Sequence, residues 1–100
     1  MKALPFVISK KALADLEEIW LYTVEKCSLE QADRYYNLIF DEINYICNNI
    51  NADKSMEHVR KNYRASKIKS HLVFYRVVNN TVEIIRILHE RMDIQNRLNE

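Results

Sequence analysis

The sequence predicts an α+β fold, in which an N-terminal strand and an antiparallel helical hairpin precede a three-stranded antiparallel sheet. A short apolar run at 6–8 is followed by a long stretch with apolar side chains at helical spacing. The C-terminal half instead holds two β-rich runs that only two residues separate. We assign residues 1–100 to a single domain, because a chain of this length buries one core.

Two amphipathic helices are predicted before residue 50. Ser9 suits the N-cap of the first, whose apolar stripe continues to about Lys26 while Asp15 and its neighbours Glu17 and Glu18 point away from it. Ser28 opens the second helix, with a glutamine at the capping-box position three residues later. The link between the helices is so short that they must pack antiparallel.

A β-hairpin is the strongest local signal in the chain. Residues 70–78 and 81–89 are rich in β-branched and aromatic side chains, and Asn79-Asn80 lies between them. Asparagine tolerates a positive φ, so this pair suits a two-residue type I′ turn. Pairing outwards from the turn places Arg76 opposite Glu83, a favourable cross-strand charge pair. A third strand is predicted from residue 63 to residue 69.

This register sorts the hairpin into two apolar faces. We expect the more uniformly aliphatic face to pack on the helices; it consists of Leu72, Phe74, Ile85 and Ile87. The opposite face would then expose a patch containing His71, Tyr75 and Arg86, and such patches usually mark a partner site. The alternative is that the N-terminal strand, the C-terminal tail or the 52–62 loop covers it. His89 falls on the face opposite His71.

Basic residues concentrate in the second half of the chain. Between Lys54 and Arg76 there are seven basic residues and one acidic residue, Glu57. Such a density indicates an anionic partner, either nucleic acid or an acidic protein, but an ordinary solvated surface has the same composition.

Several chemistries have no support in the sequence. The chain contains no glycine, so neither a P-loop nor a Gly-rich dinucleotide turn is possible. His58, His71 and His89 lack metal-ligand spacing, and no CxxC or HExxH motif occurs. We therefore expect no cofactor and no metal site. Neither a transmembrane run nor a signal peptide is visible, which predicts a cytoplasmic protein.

Two stretches resemble the ParE toxins of the ParE/RelE superfamily of type II toxin–antitoxin systems. The first is SHLVFYRV at 70–77 with VEIIRILHERMD at 82–93, and the second is ISKKALADLEEIW at 8–20 followed by Tyr22-Thr23. Together they cover most of the chain in the family's order, and the fold that the family implies has the element order predicted above. The Asn-Pro and Gly common in the family are missing from 48–58, which leaves the conformation of the 51–62 loop open.

The resemblance implies a toxin that inhibits growth by binding DNA gyrase. It also implies a cognate antitoxin, ParD-like or of another family, that wraps and neutralises the toxin. Operator DNA would be reached only through that antitoxin, and no membrane is involved. We expect five residues to contact the antitoxin: His71, Tyr75, Arg86, Arg64 and Lys67. The target is expected to contact the C-terminal region at Arg91 and Met92.

Two alternatives stay open. RelE-type relatives share the fold and cleave messenger RNA in the ribosome, which requires phosphate-binding cations and an acid–base pair. The candidates for that chemistry are Arg64, His71, Tyr75, Arg86 and His89. The branch that this sequence resembles lacks the ribonuclease residue set, so we expect no catalytic residues. The second alternative is a non-toxic module that binds nucleic acid or protein.

Overall fold

The computed structural model describes residues 3–50, 54–55 and 62–99, so the 51–62 loop lies outside the described residues except at 54–55 and 62. The predicted α+β class and element order are confirmed. In chain order the elements are β1 (Phe6–Ile8), α1 (Lys10–Lys26), α2 (Leu29–Asn48), β2 (Lys54–Ser55), β3 (Arg64–Ile68), β4 (His71–Val78), β5 (Thr81–His89) and α3 (Ile94–Leu98). Within these ranges, no helix is long and apolar enough to cross a bilayer.

The sheet is mixed rather than purely antiparallel. Its five strands lie in the order β1-β5-β4-β3-β2, and β3, β4 and β5 form the predicted antiparallel unit. β1 extends this unit by pairing parallel with β5, while β2 pairs antiparallel with β3 at the other edge. Parallel neighbouring strands require a crossover connection, and here the helical hairpin forms part of the connection between β1 and β5.

Both hairpin helices begin at the predicted caps. The Ser9 hydroxyl accepts a hydrogen bond from the Ala12 N–H at 3.0 Å and donates one to the Ile85 carbonyl at 2.7 Å. The Ser28 hydroxyl accepts from the Gln31 N–H at 3.0 Å. A cap of this kind typically contributes about 1 kcal/mol. The Ser9 cap in addition attaches the start of α1 to β5.

The β4–β5 turn has the predicted geometry. Asn79 and Asn80 have φ values of 51° and 57°, the positive values that a type I′ turn requires. The predicted register holds outwards from the turn as far as the Tyr75–Ile84 pair. Within it the Arg76 Nε donates to a Glu83 carboxylate oxygen at 2.7 Å.

A β-bulge at Ile85 changes the register beyond that point. Phe74 pairs with Arg86 instead of Ile85, which leaves Ile85 as an additional residue in β5. A shift of one residue moves each following side chain to the other face of the sheet. His89 therefore lies directly opposite His71, on the same face, where the sequence had placed it on the other.

The predicted assignment of the two hairpin faces was wrong. The face that contains Val73, Tyr75 and Ile84 packs on α1 and α2, and the bulge adds Ile87 to it. The other face forms a second cluster with α3, whose buried members are Tyr63, Ala65, Phe74, Leu88 and Leu98. Aliphatic content could not decide between the faces, because the Tyr75 ring fills the helix-facing core as well as an aliphatic side chain would. Both faces are therefore covered over the central part of the hairpin, while its turn end stays exposed.

Candidate functional site

A cavity of about 610 Å³ opens between the helical hairpin and one end of the sheet. Its lining comes from α1, α2, the β3–β4 turn, the start of β4, the end of β5 and the residues just after β5. The lining residues are Asp15, Glu18, Ile19, Tyr22, Thr23, Tyr35, Lys69, Ser70, His71, Ile87, His89 and Met92. Its size lies within the range of ordinary ligand pockets, roughly 300–1,000 Å³.

Two histidines face each other in this cavity. The Glu90 N–H donates to the Ser70 carbonyl at 2.8 Å, which places Ser70 and Glu90 at a hydrogen-bonded position of the ladder. His71 and His89 are consequently a non-hydrogen-bonded pair, the kind in which cross-strand side chains lie closest together. Their ring centroids are 5.2 Å apart and their planes are nearly perpendicular, at 82°.

Hydrogen bonds distinguish the protonation of the two rings. The Tyr35 hydroxyl lies 2.7 Å from His71 Nδ1 and donates to the Ile68 carbonyl at 3.2 Å. A phenol has one proton, so directing it to the Ile68 carbonyl assigns the donor role to His71 Nδ1 and leaves the lone pair on Nε2; the tautomer of His71 is assigned from this hydrogen-bond network. His89 Nδ1 instead accepts from the Arg91 N–H at 3.1 Å, which places its ring proton on Nε2.

The environment of His71 predicts a loss of stability in mild acid. Burial lowers the pKa of His71 below 6.5, and His89 lowers it further, while Asp15 and Glu90 oppose the shift. The unfolded chain therefore binds more protons at this residue as the pH falls, and the stability present above about pH 6.5 decreases below it. We expect the free energy of unfolding, measured by urea denaturation at a series of pH values from about 7.5 to 5.5, to show this decrease.

Replacement of His71 by glutamine should flatten this part of the pH profile. An unchanged slope in His71→Gln would assign the decrease to other groups.

Arg86 belongs to a buried ion pair instead of a contact surface. Its Nε and Nη2 donate to the two Asp15 carboxylate oxygens at 2.8 and 2.9 Å, and the Ile87 N–H donates to Asp15 Oδ2 at 2.9 Å. Its Nη1 donates to the Arg97 carbonyl at 2.8 Å. One guanidinium thus joins α1, β5 and α3. By accepting from the Ile87 N–H, Asp15 also satisfies a backbone donor on the edge of β5, past the residues that pair with β1.

The structure therefore contradicts the predicted exposure of two antitoxin contacts. Tyr75 is 0% exposed and Arg86 is 7% exposed, so a partner cannot reach either in this fold. The other three candidates are accessible. His71 and Arg64 are half-buried, and the exposed Lys67 ammonium lies 3.2 Å from a Glu90 carboxylate oxygen.

The structure brings together only two of the five ribonuclease candidates. His71 and His89 come together in the cavity, whereas Tyr75, Arg86 and Arg64 do not line it. The predicted target contacts, Arg91 and Met92, are both exposed after β5, and Met92 lies at the cavity.

Sequence reasoning missed Asp15 and Tyr35. We assigned Asp15 to the solvent-facing side of α1, although it lies three residues after Ala12 and four before Ile19, inside the apolar stripe. A carboxylate at that position indicates a buried partner, and this signal was available. No local pattern identifies Tyr35, because its hydrogen bond to His71 depends on how α2 packs against the sheet.

Comparisons with known proteins agree with this architecture. The family model described as ParE toxin of type II toxin-antitoxin system, parDE, matches residues 6–94. The chain is 33% identical over 94 residues to Toxin ParE1 of Mycobacterium tuberculosis (strain ATCC 25618 / H37Rv), covering 93% of this chain and 96% of that toxin. It is 37% identical over 94 residues to Toxin ParE1 of Caulobacter vibrioides, covering 94% and 97%.

A solved structure shares the fold. The chain matches one from the structure titled Chromosomal ParDE TA system from P. aeruginosa with a TM-score of 0.77 and 21% identity, covering 87% of this chain and 96% of that one. Because the family model spans nearly the whole chain and both toxins exceed 30% identity, the chain belongs to the ParE toxin family of type II toxin–antitoxin systems.

Proposed function

We propose that this ParE toxin inhibits bacterial growth in the cytoplasm by binding DNA gyrase, and that a cognate antitoxin neutralises it. Family membership across residues 6–94 is the observation that carries the proposal. The sequence resemblance to ParE toxins implies gyrase as the target and binding as the mode of action. The antitoxin is ParD-like or of another family, and operator DNA is reached only through it.

The C-terminal segment supplies the proposed target contacts. Arg91 and Met92 are exposed immediately after β5, and Met92 is 37% exposed. The Arg86 hydrogen bond to the Arg97 carbonyl holds the far end of this segment on the protein. Binding therefore requires little ordering of this segment, which lowers its entropic cost.

We place the antitoxin over the cavity and the adjacent basic edge. His71, Lys67 and Arg64 remain as proposed contacts, and Lys69 at the cavity adds another positive charge. A basic edge beside an apolar cavity favours an antitoxin segment with acidic and apolar side chains. Tyr75 and Arg86 support this surface from beneath and do not contact the partner.

Inducible expression of the chain in a bacterial host tests the proposed target. We expect viable counts to fall while a DNA-damage reporter is activated. Arg91→Glu should restore much of the viability, whereas Arg34→Glu, at an exposed position on α2, should leave the toxicity unchanged. A fall in viability with a silent reporter would contradict gyrase as the target.

A ribosome-dependent endoribonuclease is the second candidate function. The observation in its favour is the cavity itself, where the His71 Nε2 lone pair and the His89 Nε2 proton provide an acceptor and a donor beside Lys69. The buried Tyr75 and Arg86 are not available to substrate. Primer extension on cellular mRNA distinguishes this candidate, because new 5′ ends that disappear in both His71→Gln and His89→Gln would support it.

A further inference from the structure

The hydrogen bonding of His71 resembles that of a metal-bound histidine. Metal-bound histidines usually coordinate through one ring nitrogen while the other donates a hydrogen bond that fixes the ring. His71 has this arrangement in the tautomer assigned above, in which Nδ1 donates to the Tyr35 hydroxyl and Nε2 keeps its lone pair.

The spacing of the rings also suits a shared ion. A zinc–nitrogen bond is about 2.0–2.1 Å, so two imidazoles on one tetrahedral ion have ring centres about 5 Å apart. The His71 and His89 centroids are 5.2 Å apart. Both rings lie in an open cavity, so an ion can enter from solvent.

We propose that His71 and His89 bind one divalent transition-metal ion, with Zn²⁺ as the representative, through the Nε2 atom of each ring. Imidazole ligands suit Zn²⁺, Cu²⁺ and Ni²⁺. Among the described residues no group of three His, Cys, Asp or Glu side chains could hold a metal, so water fills the remaining positions. The sequence could not indicate this site, because the bulge at Ile85 is what brings His89 opposite His71.

The charges around the pair include both signs. Asp15 and Glu18 on α1 and Glu90 after β5 favour a cation, and Lys69 in the β3–β4 turn opposes it. The acidic groups are more numerous, but the Asp15 carboxylate is already engaged by Arg86 and the Glu90 carboxylate by Lys67. The charges around the pair therefore nearly cancel, and binding depends on the two imidazoles.

Metal binding at His89 also changes the hydrogen bonding of the Arg91 backbone N–H. The ring proton of His89 is on Nε2, so an ion at that atom moves the proton to Nδ1 of the same ring, with no net proton release. Nδ1 then becomes a donor facing the Arg91 N–H, and their 3.1 Å hydrogen bond is lost. The metal site does not depend on the proposed gyrase function. Only the relevance of the Arg91 change to target binding rests on that function.

Side-chain ¹H–¹⁵N NMR of the whole chain during a Zn²⁺ titration tests the site. The titration uses a His58→Gln/Cys27→Ser background, which removes the third histidine and the exposed thiol. We expect saturable shifts at Nε2 of both His71 and His89 with one ion per chain. The Arg91 backbone amide should shift in parallel.

Three variants in the same background complete the test, each first checked for an unchanged amide spectrum without metal. His71→Gln should abolish saturation, and Tyr35→Phe should weaken binding by about tenfold through loss of the group that fixes the ring. Tyr36→Phe, on the same helix but exposed, should bind like the parent. Shifts at only one histidine, a ring proton that stays on Nε2 of His89, or no shift at a tenfold excess of Zn²⁺ would overturn the proposal.

Discussion

Replacement of Asp15 by alanine is expected to lower the free energy of unfolding by about 3–5 kcal/mol, a large part of the total for a domain of this size. The reason is that the Arg86 guanidinium remains buried without its counter-ion, with both side chains at most 10% exposed. The Ile87 N–H also loses its acceptor. Urea denaturation followed by circular dichroism measures the loss.

The Arg76–Glu83 pair provides the matched control. Its side chains are 45% and 33% exposed, so Glu83→Ala should cost no more than about 1 kcal/mol. A double variant, Asp15→Leu with Arg86→Met, should recover part of the stability lost in Asp15→Ala, because apolar groups of similar size replace both charges. Equal losses in Asp15→Ala and Glu83→Ala would contradict the special role assigned to the buried pair.

Replacement of Tyr75 by alanine is expected to destabilise the fold by about 3–5 kcal/mol. The ring is 0% exposed and lies between the sheet and the helical hairpin, so its removal leaves a large cavity in the main core. A residue that only contacted an antitoxin would behave differently, since its loss would weaken the complex without changing the unfolding of the free toxin. Thermal unfolding of the free toxin and titration of the complex separate the two cases.

Tyr22→Ala is the corresponding control. It makes the same chemical change at a 63% exposed position on α1, where the stability should change by no more than about 0.5 kcal/mol. A Tyr75→Ala variant that unfolds like Tyr22→Ala would refute the core assignment.

Local rules predicted the helices, their caps and the turn of the hairpin. The Ser9 and Ser28 caps and the Asn79-Asn80 turn each depend on side chains close in sequence, and each is present. The bulge at Ile85 was not predictable in the same way. Residues 84–88 read Ile-Ile-Arg-Ile-Leu, so a shift of one residue still leaves apolar side chains on both faces. The hydrophobic pattern that normally fixes the register therefore allowed either pairing.

The site was predicted only in part for the same reason. His71 and Lys67 were identified from composition and strand position, and both are accessible. The facing position of His89 depends on the bulge, and the contact of Tyr35 depends on helix packing. Asp15 is the exception, because its position within the apolar stripe already indicated a buried partner.

The Asp15–Arg86 pair also has a consequence for the order in which the molecule folds. The two residues are 71 positions apart, so the contact closes a loop that includes most of the molecule. Such long-range contacts form late, after the loop-closure entropy has been offset elsewhere. α3, a five-residue helix too short to be stable alone, is held by the buried Leu98 and by the Arg86 hydrogen bond to the Arg97 carbonyl. We therefore expect the segment with the proposed target contacts to become ordered last, after the sheet and the helical hairpin have formed.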